Sequence, residues 1–183
     1  MSSSDEQSLL ERVRQYDETA IAEIYDRYSS RIYNYILHRL GDAALAEDLT
    51  ATVFVHMLKA IRTSTAWRVS FSGWLYRIAH NLVVDHYRSR PQGEELTLDE
   101  RLIASESDPA HSIDQSLAMQ QLRWALGYLT EDQSQVIVLK FIEGLSNAEV
   151  AYILGKSEGA VKSLQFRALA ALRRLMSTDE IAG

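Results

Sequence analysis

The sequence predicts an all-α protein made of two small helical domains, residues 1–90 and 115–183, joined by an acidic linker at 91–114. The second is expected to be a four-helix domain containing a helix-turn-helix. Three observations carry this reading. Apolar residues in both halves recur at three- and four-residue steps, the spacing of one helix face. Both prolines, Pro91 and Pro109, fall in the same middle stretch. The charge imbalance falls there as well: of a formal net charge of -6, residues 1–90 contribute none (11 basic against 11 acidic side chains) and residues 116–183 none (seven against seven). Residues 91–115 set Arg101 alone against Glu94, Glu95, Asp99, Glu100, Glu106, Asp108 and Asp114. Like charges with proline and glycine resist compaction, so this stretch reads as a solvated linker. Each neutral half remains able to carry a basic face.

The elements follow in order. Ile21, Ile24, Tyr25, Tyr28, Ile32, Tyr35 and Ile36 share one helix face, and Gly41-Asp42 ends that helix. Leu45, Leu49, Val53, Phe54, Met57, Leu58 and Ile61 mark the next, and 62–70, which lacks periodicity, reads as a loop. A further helix is expected over 71–88, with Leu75, Ile78, Ala79, Leu82 and Val83 inward. In the second half Thr130 with Gln133, and Ser146 with Glu149, fit capping boxes, in which hydroxyl and carboxyl or amide groups satisfy free backbone donors. Between them lies a dense apolar helix, Val136 to Ile142, closed by Gly144. A short helix with Val150, Ile153 and Leu154 inward is followed by the turn Gly155-Lys156-Ser157 and a last helix with Val161, Ala168, Leu172 and Leu175 inward. Short helix, glycine turn and longer helix form the helix-turn-helix pattern.

Composition narrows the function. There is no cysteine, which removes disulfides, thiolate zinc sites and a cysteine nucleophile together. No apolar run approaches the roughly 18 residues of a membrane span, and the start has no basic end leading into an apolar block. These features point to a soluble cytoplasmic protein. The five histidines, His38, His56, His80, His86 and His111, include no pair four apart on a helix, and no phosphate-binding glycine loop occurs. Neither a catalytic centre, a metal site nor a cofactor is expected.

Two stretches carry the chemistry instead. From Lys156 to Arg174 five bases face one acid. With Val161 and Ala168 inward, about 100° per residue turns Gly159, Ser163, Phe166, Arg167 and Arg174 outward, with Lys162 and Arg173 on a flank. Such a face suits phosphates, and its first turns suit base edges in a major groove. From Arg62 to Arg90 five arginines face Asp85 alone, interleaved with Trp67, Phe71, Trp74, Tyr76 and Tyr87. Bases stack on rings while arginines follow phosphates, so this mixture suits single-stranded DNA. Phe71 and Trp74 also suit core positions; Trp67, in the presumed loop, does not.

At these positions the chain resembles a known family. FSGWLYRIAHNLVVDHYR (71–88) resembles the part of extracytoplasmic-function (ECF) bacterial RNA polymerase sigma factors that opens and reads the minus-ten promoter element. EDLTATVF (47–54) resembles their polymerase-binding helix, and EGLSNAEVAYILGKSEGAVKS (143–163) their minus-thirty-five reader. The matches come in family order and cover about 16–90 and 115–175. The resemblance implies that the chain binds core RNA polymerase and directs promoter-specific initiation, with no catalysis of its own. It implies minus-ten contacts by Trp67, Arg68, Trp74, Arg77, His80, Asn81 and Arg88. Asn81 would hold a base turned out of the melted strand, within a pocket completed by the 62–70 loop. It implies minus-thirty-five contacts by Glu158, Lys162, Ser163, Gln165, Phe166 and Arg167, and polymerase contacts by Glu47, Asp48, Thr52 and His56. The linker would thread toward the polymerase cleft, and an anti-sigma factor is an expected partner.

The chain departs from the family pattern in three places. Ala51-Thr52 stand where Gln-Glu is usual, His80 where an arginine precedes the asparagine, and Leu164-Gln165 where Arg-Leu is common. Two rivals remain at this level. A conventional helix-turn-helix regulator would bind duplex operator without polymerase, and an adaptor would only sequester partners.

Overall fold

The computed structural model describes residues 3–61, 69–89 and 124–179. The chain divides into two compact units, Met1–Ser89 and Arg90–Gly183. Among the described residues every regular element is a helix. The linker at 91–114 lies outside them.

The first unit has four helices: α1 (Ser3–Arg14), α2 (Glu18–Leu40), α3 (Ala43–Ala60) and α4 (Phe71–Ser89). Helices α2, α3 and α4 pack against one another and α1 closes onto α2. The shared core takes Ile24, Ile32, Tyr35 and Ile36 from α2, Val53 and Met57 from α3, and Leu75, Tyr76, Ala79 and Val83 from α4. The boundary between α2 and α3 is the expected one. Gly41 adopts the left-handed region (φ 70°), where glycine alone pays no steric penalty, and Asp42 then caps α3 by accepting from the Leu45 amide. Helix α1 was not among the expected elements. Its sequence signal is short: Asp5 and Glu6 in the first turn, then Leu9, Leu10 and Val13, all buried.

A polar cluster joins α1 to α2. The Arg12 guanidinium donates to Asp17 Oδ2 at 2.8 Å, and the Thr19 hydroxyl and the Thr19 and Ala20 amides donate to Oδ1. Together they hold the Asp17 carboxyl well below the usual carboxylate range, the Arg12 bond contributing most. A carboxylate depressed in the folded state adds stability above its unfolded value of about pH 4, and that stability is lost as pH falls through the folded value. The Asp17→Ala variant is therefore expected to melt at a lower temperature at neutral pH. The difference from the parent should shrink as pH falls toward 3, in melting curves followed by circular dichroism.

In the second unit, 124–127 is helical. It is followed by α5 (Glu131–Ile137), α6 (Asn147–Leu154) and α7 (Glu158–Asp179). Both capping boxes form: Thr130 with Gln133, and Ser146 with Glu149. The apolar helix differs from expectation at its end. After Ile137 it widens into a π-helical turn, Val138–Ile142, in which the Glu143 amide reaches back five residues to the Val138 carbonyl. Val138 and Leu139 stay buried, whereas Phe141 and Ile142 turn outward. Gly155, left-handed at φ 64°, ends α6, and the Lys156 amide returns to the Ala151 carbonyl. Helix α7 packs on α5 and α6 through Val161 and Ala168, both fully buried.

Candidate nucleic-acid interface

Two faces, one in each unit, hold the residues singled out from the sequence. On α4, residues 77, 81, 85 and 88 recur at helical spacing and share a face. Asn81 is exposed, Arg77 is half-buried, and Arg88 is exposed, 4.0 Å from Asp85. The inner face of the same helix is locked. Tyr76 meets Tyr35 edge to face, Arg31 lies over the Tyr76 ring, and the Tyr87 hydroxyl donates to the Arg39 carbonyl on α2. These contacts fix the rotation of α4 and so present Asn81 to solvent.

Two residues of this group are placed differently from a free binding face. Trp74 is only 8% exposed and its ring packs against Phe71. It is a core ring here, as its alternative reading anticipated, and a base cannot stack on it in this conformation. His80 is half-buried and its Nδ1 lies 3.1 Å from the Tyr35 hydroxyl, so it braces α4 against α2 beside Asn81. Trp67 and Arg68, with the rest of 62–68, lie outside the described residues.

On α3, Glu47, Asp48 and His56 are exposed, and Thr52 is half-buried with its hydroxyl donating to the Asp48 carbonyl. Val55 is an exposed apolar side chain on the same helix, and Tyr25 of α2, also exposed, sets its ring 4.9 Å from Phe54. The sequence places Tyr25 on the apolar face shared with Ile24 and Tyr28. Its position one residue after Ile24 puts it at the edge of the apolar stripe, and that offset was the signal available.

The second face lies on α7. Ser157 caps the helix, its hydroxyl accepting from the Ala160 amide. Glu158, Gly159, Lys162, Ser163, Phe166, Arg167, Arg173 and Arg174 are exposed, Phe166 by 76%. Leu164 and Gln165 are both half-buried, so Gln165 sits on the flank of this face. Lys156 is diverted from it. Its Nζ lies 2.9 Å from Asp132 Oδ2 at the start of α5, tying the turn of the helix-turn-helix to the helix beneath. The pair is partly exposed, 29% and 48%, so solvent screens it to about 0.2–1 kcal/mol. Lys156→Met and Asp132→Asn are expected to lower the melting temperature equally, with the double variant no worse than either and the effect reduced by salt.

Residues 24–91 match the family model Sigma-70 region 2, and residues 119–172 match Sigma-70, region 4. Over 182 residues the chain is 30% identical to the ECF RNA polymerase sigma factor SigK of Mycobacterium tuberculosis, spanning 97% of this chain and 96% of that protein. This chain belongs to the ECF sigma factor family. The sigma factor is also 41% identical over 173 residues to the ECF RNA polymerase sigma factor BldN of Streptomyces coelicolor, covering 93% of this chain and 66% of that protein's length. Its fold matches that of CnrH, solved in complex with the cytosolic domain of CnrY, with a TM-score of 0.68 and 24% identity over 93% of this chain and 96% of that one. As a sigma factor it binds RNA polymerase and serves transcription initiation. Among the described residues of the sigma factor, no helix is long and apolar enough to cross a membrane.

Proposed function

We propose that this sigma factor reads the minus-ten element as an unpaired strand on α4 and the minus-thirty-five element as duplex on α7. The observation that carries the proposal is the pair of faces: exposed Asn81 and Arg88 with half-buried Arg77 on one helix, and exposed Lys162, Ser163, Phe166 and Arg167 on another. An unpaired base offers its pairing edge, and the Asn81 amide can donate to and accept from it at once. Arg77 and Arg88 follow the phosphates, joined by Arg68, while Trp67 offers a ring for a base to stack on. His80 contributes by bracing the helix, and Trp74 by filling the core beneath it. On α7, Arg167 and Ser163 reach base edges while Lys162 neutralises phosphate; Gln165 and Glu158 reach from the flank and the first turn, and Phe166 supplies an apolar contact.

Core polymerase docks on the outer side of α3 through Glu47, Asp48, Thr52 and His56, with Val55 as an apolar contact among them. An anti-sigma partner belongs to the same proposal. CnrH was solved with CnrY, and RpoE of Bartonella quintana with the anti-sigma factor NepR. Run-off transcription from a random promoter library with purified core polymerase tests the whole reading. The chain should bind core one to one and yield starts downstream of two recurring elements. Equal transcripts with and without the chain, or tight operator binding by a dimer without polymerase, would replace this reading with that of a conventional regulator.

A further inference from the structure

We propose that Gly159 is a clearance position: it bears no side chain so that promoter duplex can come into van der Waals contact with the α7 backbone. This inference rests on the reading of α7 as the duplex-binding helix. Three glycines of the second unit, Gly144, Gly155 and Gly159, differ in what requires them. Gly144 and Gly155 occupy the left-handed region, at φ 71° and 64°, where a side chain is strained. Gly159 does not; it lies in the regular first turn of α7. A Cβ built there would meet only Ser157 Oγ, at 4.0 Å, an ordinary contact. Neither backbone nor packing among the described residues demands glycine at 159.

Glycine there nonetheless carries a cost. A helical glycine surrenders more chain entropy on folding than alanine does, and alanine at a compatible position stabilises by restricting the unfolded chain. What remains is a requirement from outside. Gly159 is exposed at the head of the stripe continued by Lys162, Ser163, Phe166 and Arg167, where cations outnumber the single acid Glu158. A face of that charge suits a polyanion. A methyl group at its head would hold the helix about 1.5 Å further out. Hydrogen bonds from Ser163 and Arg167 to base edges need about 2.7–3.2 Å and would not survive that displacement.

The test compares Gly159→Ala, Gly159→Leu and Arg167→Ala as holoenzymes with core polymerase, on a promoter selected from a random library by the parent holoenzyme. Gly159→Ala should melt at or above the parent temperature, bind core polymerase equally, and bind the promoter about tenfold more weakly, the scale of one lost base contact. Gly159→Leu should bind more weakly still. A lower melting temperature for Gly159→Ala would overturn the inference by making the glycine structural. Full promoter affinity for Gly159→Ala while Arg167→Ala weakens would overturn the inference alone. Full affinity for both would overturn it together with the reading of α7.

Discussion

Trp74→Ala is expected to destabilise the first unit by about 3–5 kcal/mol, the usual cost of truncating a buried tryptophan. The indole is buried in the core of the first unit, its ring tilted against Phe71, with Tyr28 edge-on to Phe71. Removing it leaves a cavity that three packed helices cannot close without losing other contacts. Denaturant unfolding should show an earlier transition for the first unit and an unchanged one for the second. Promoter opening should fall in proportion to the fraction unfolded and should recover at low temperature. A fully folded Trp74→Ala variant that still fails to open promoters would return this residue to the DNA face, where the basic and aromatic composition of 62–90 first placed it.

The second large effect is expected at Asn81. Truncation to alanine removes the exposed amide and touches no packing, so stability should be unchanged. Promoter opening should fall by roughly 5- to 150-fold, corresponding to the ~1–3 kcal/mol that one good two-point side-chain contact to a base edge is worth. Core polymerase affinity should not move, because the proposed polymerase contacts, Glu47, Asp48 and His56, lie on a different helix. Asn81→Asp separates the amide donor from the acceptor. It keeps the oxygens, loses the N–H and adds charge repulsion toward phosphate, so it should be at least as defective as alanine.

The helical fold was legible wherever a local signal decided it. Gly41-Asp42, Thr130 with Gln133, and Ser146 with Glu149 act within a few residues of chain: the helix break and both capping boxes form at the expected places. The outward stripe of α7 was equally legible, because two fully buried positions, Val161 and Ala168, fix the rotation of a regular helix. What escaped depends on partners distant in sequence. His80 is braced by Tyr35, 45 residues away, and Lys156 is held by Asp132, 24 residues away, so both read from sequence as free members of a basic surface. The π-turn at Val138–Ile142 escaped for a related reason. Its apolar residues suit a continuous α-helix, and only the five-residue reach of the Glu143 amide to the Val138 carbonyl shows where the extra residue is absorbed. Helix α1 carries only three apolar anchors, too few to stand out against a polar terminus.

Permanganate oxidation of thymines in the minus-ten element tests the central claim most directly, since only unpaired thymines react readily. With the parent holoenzyme those thymines should be reactive, and with Asn81→Ala holoenzyme, at promoter occupancy matched by raising its concentration, they should stay protected. Equal reactivity for both holoenzymes would contradict the assignment of strand opening to the exposed face of α4.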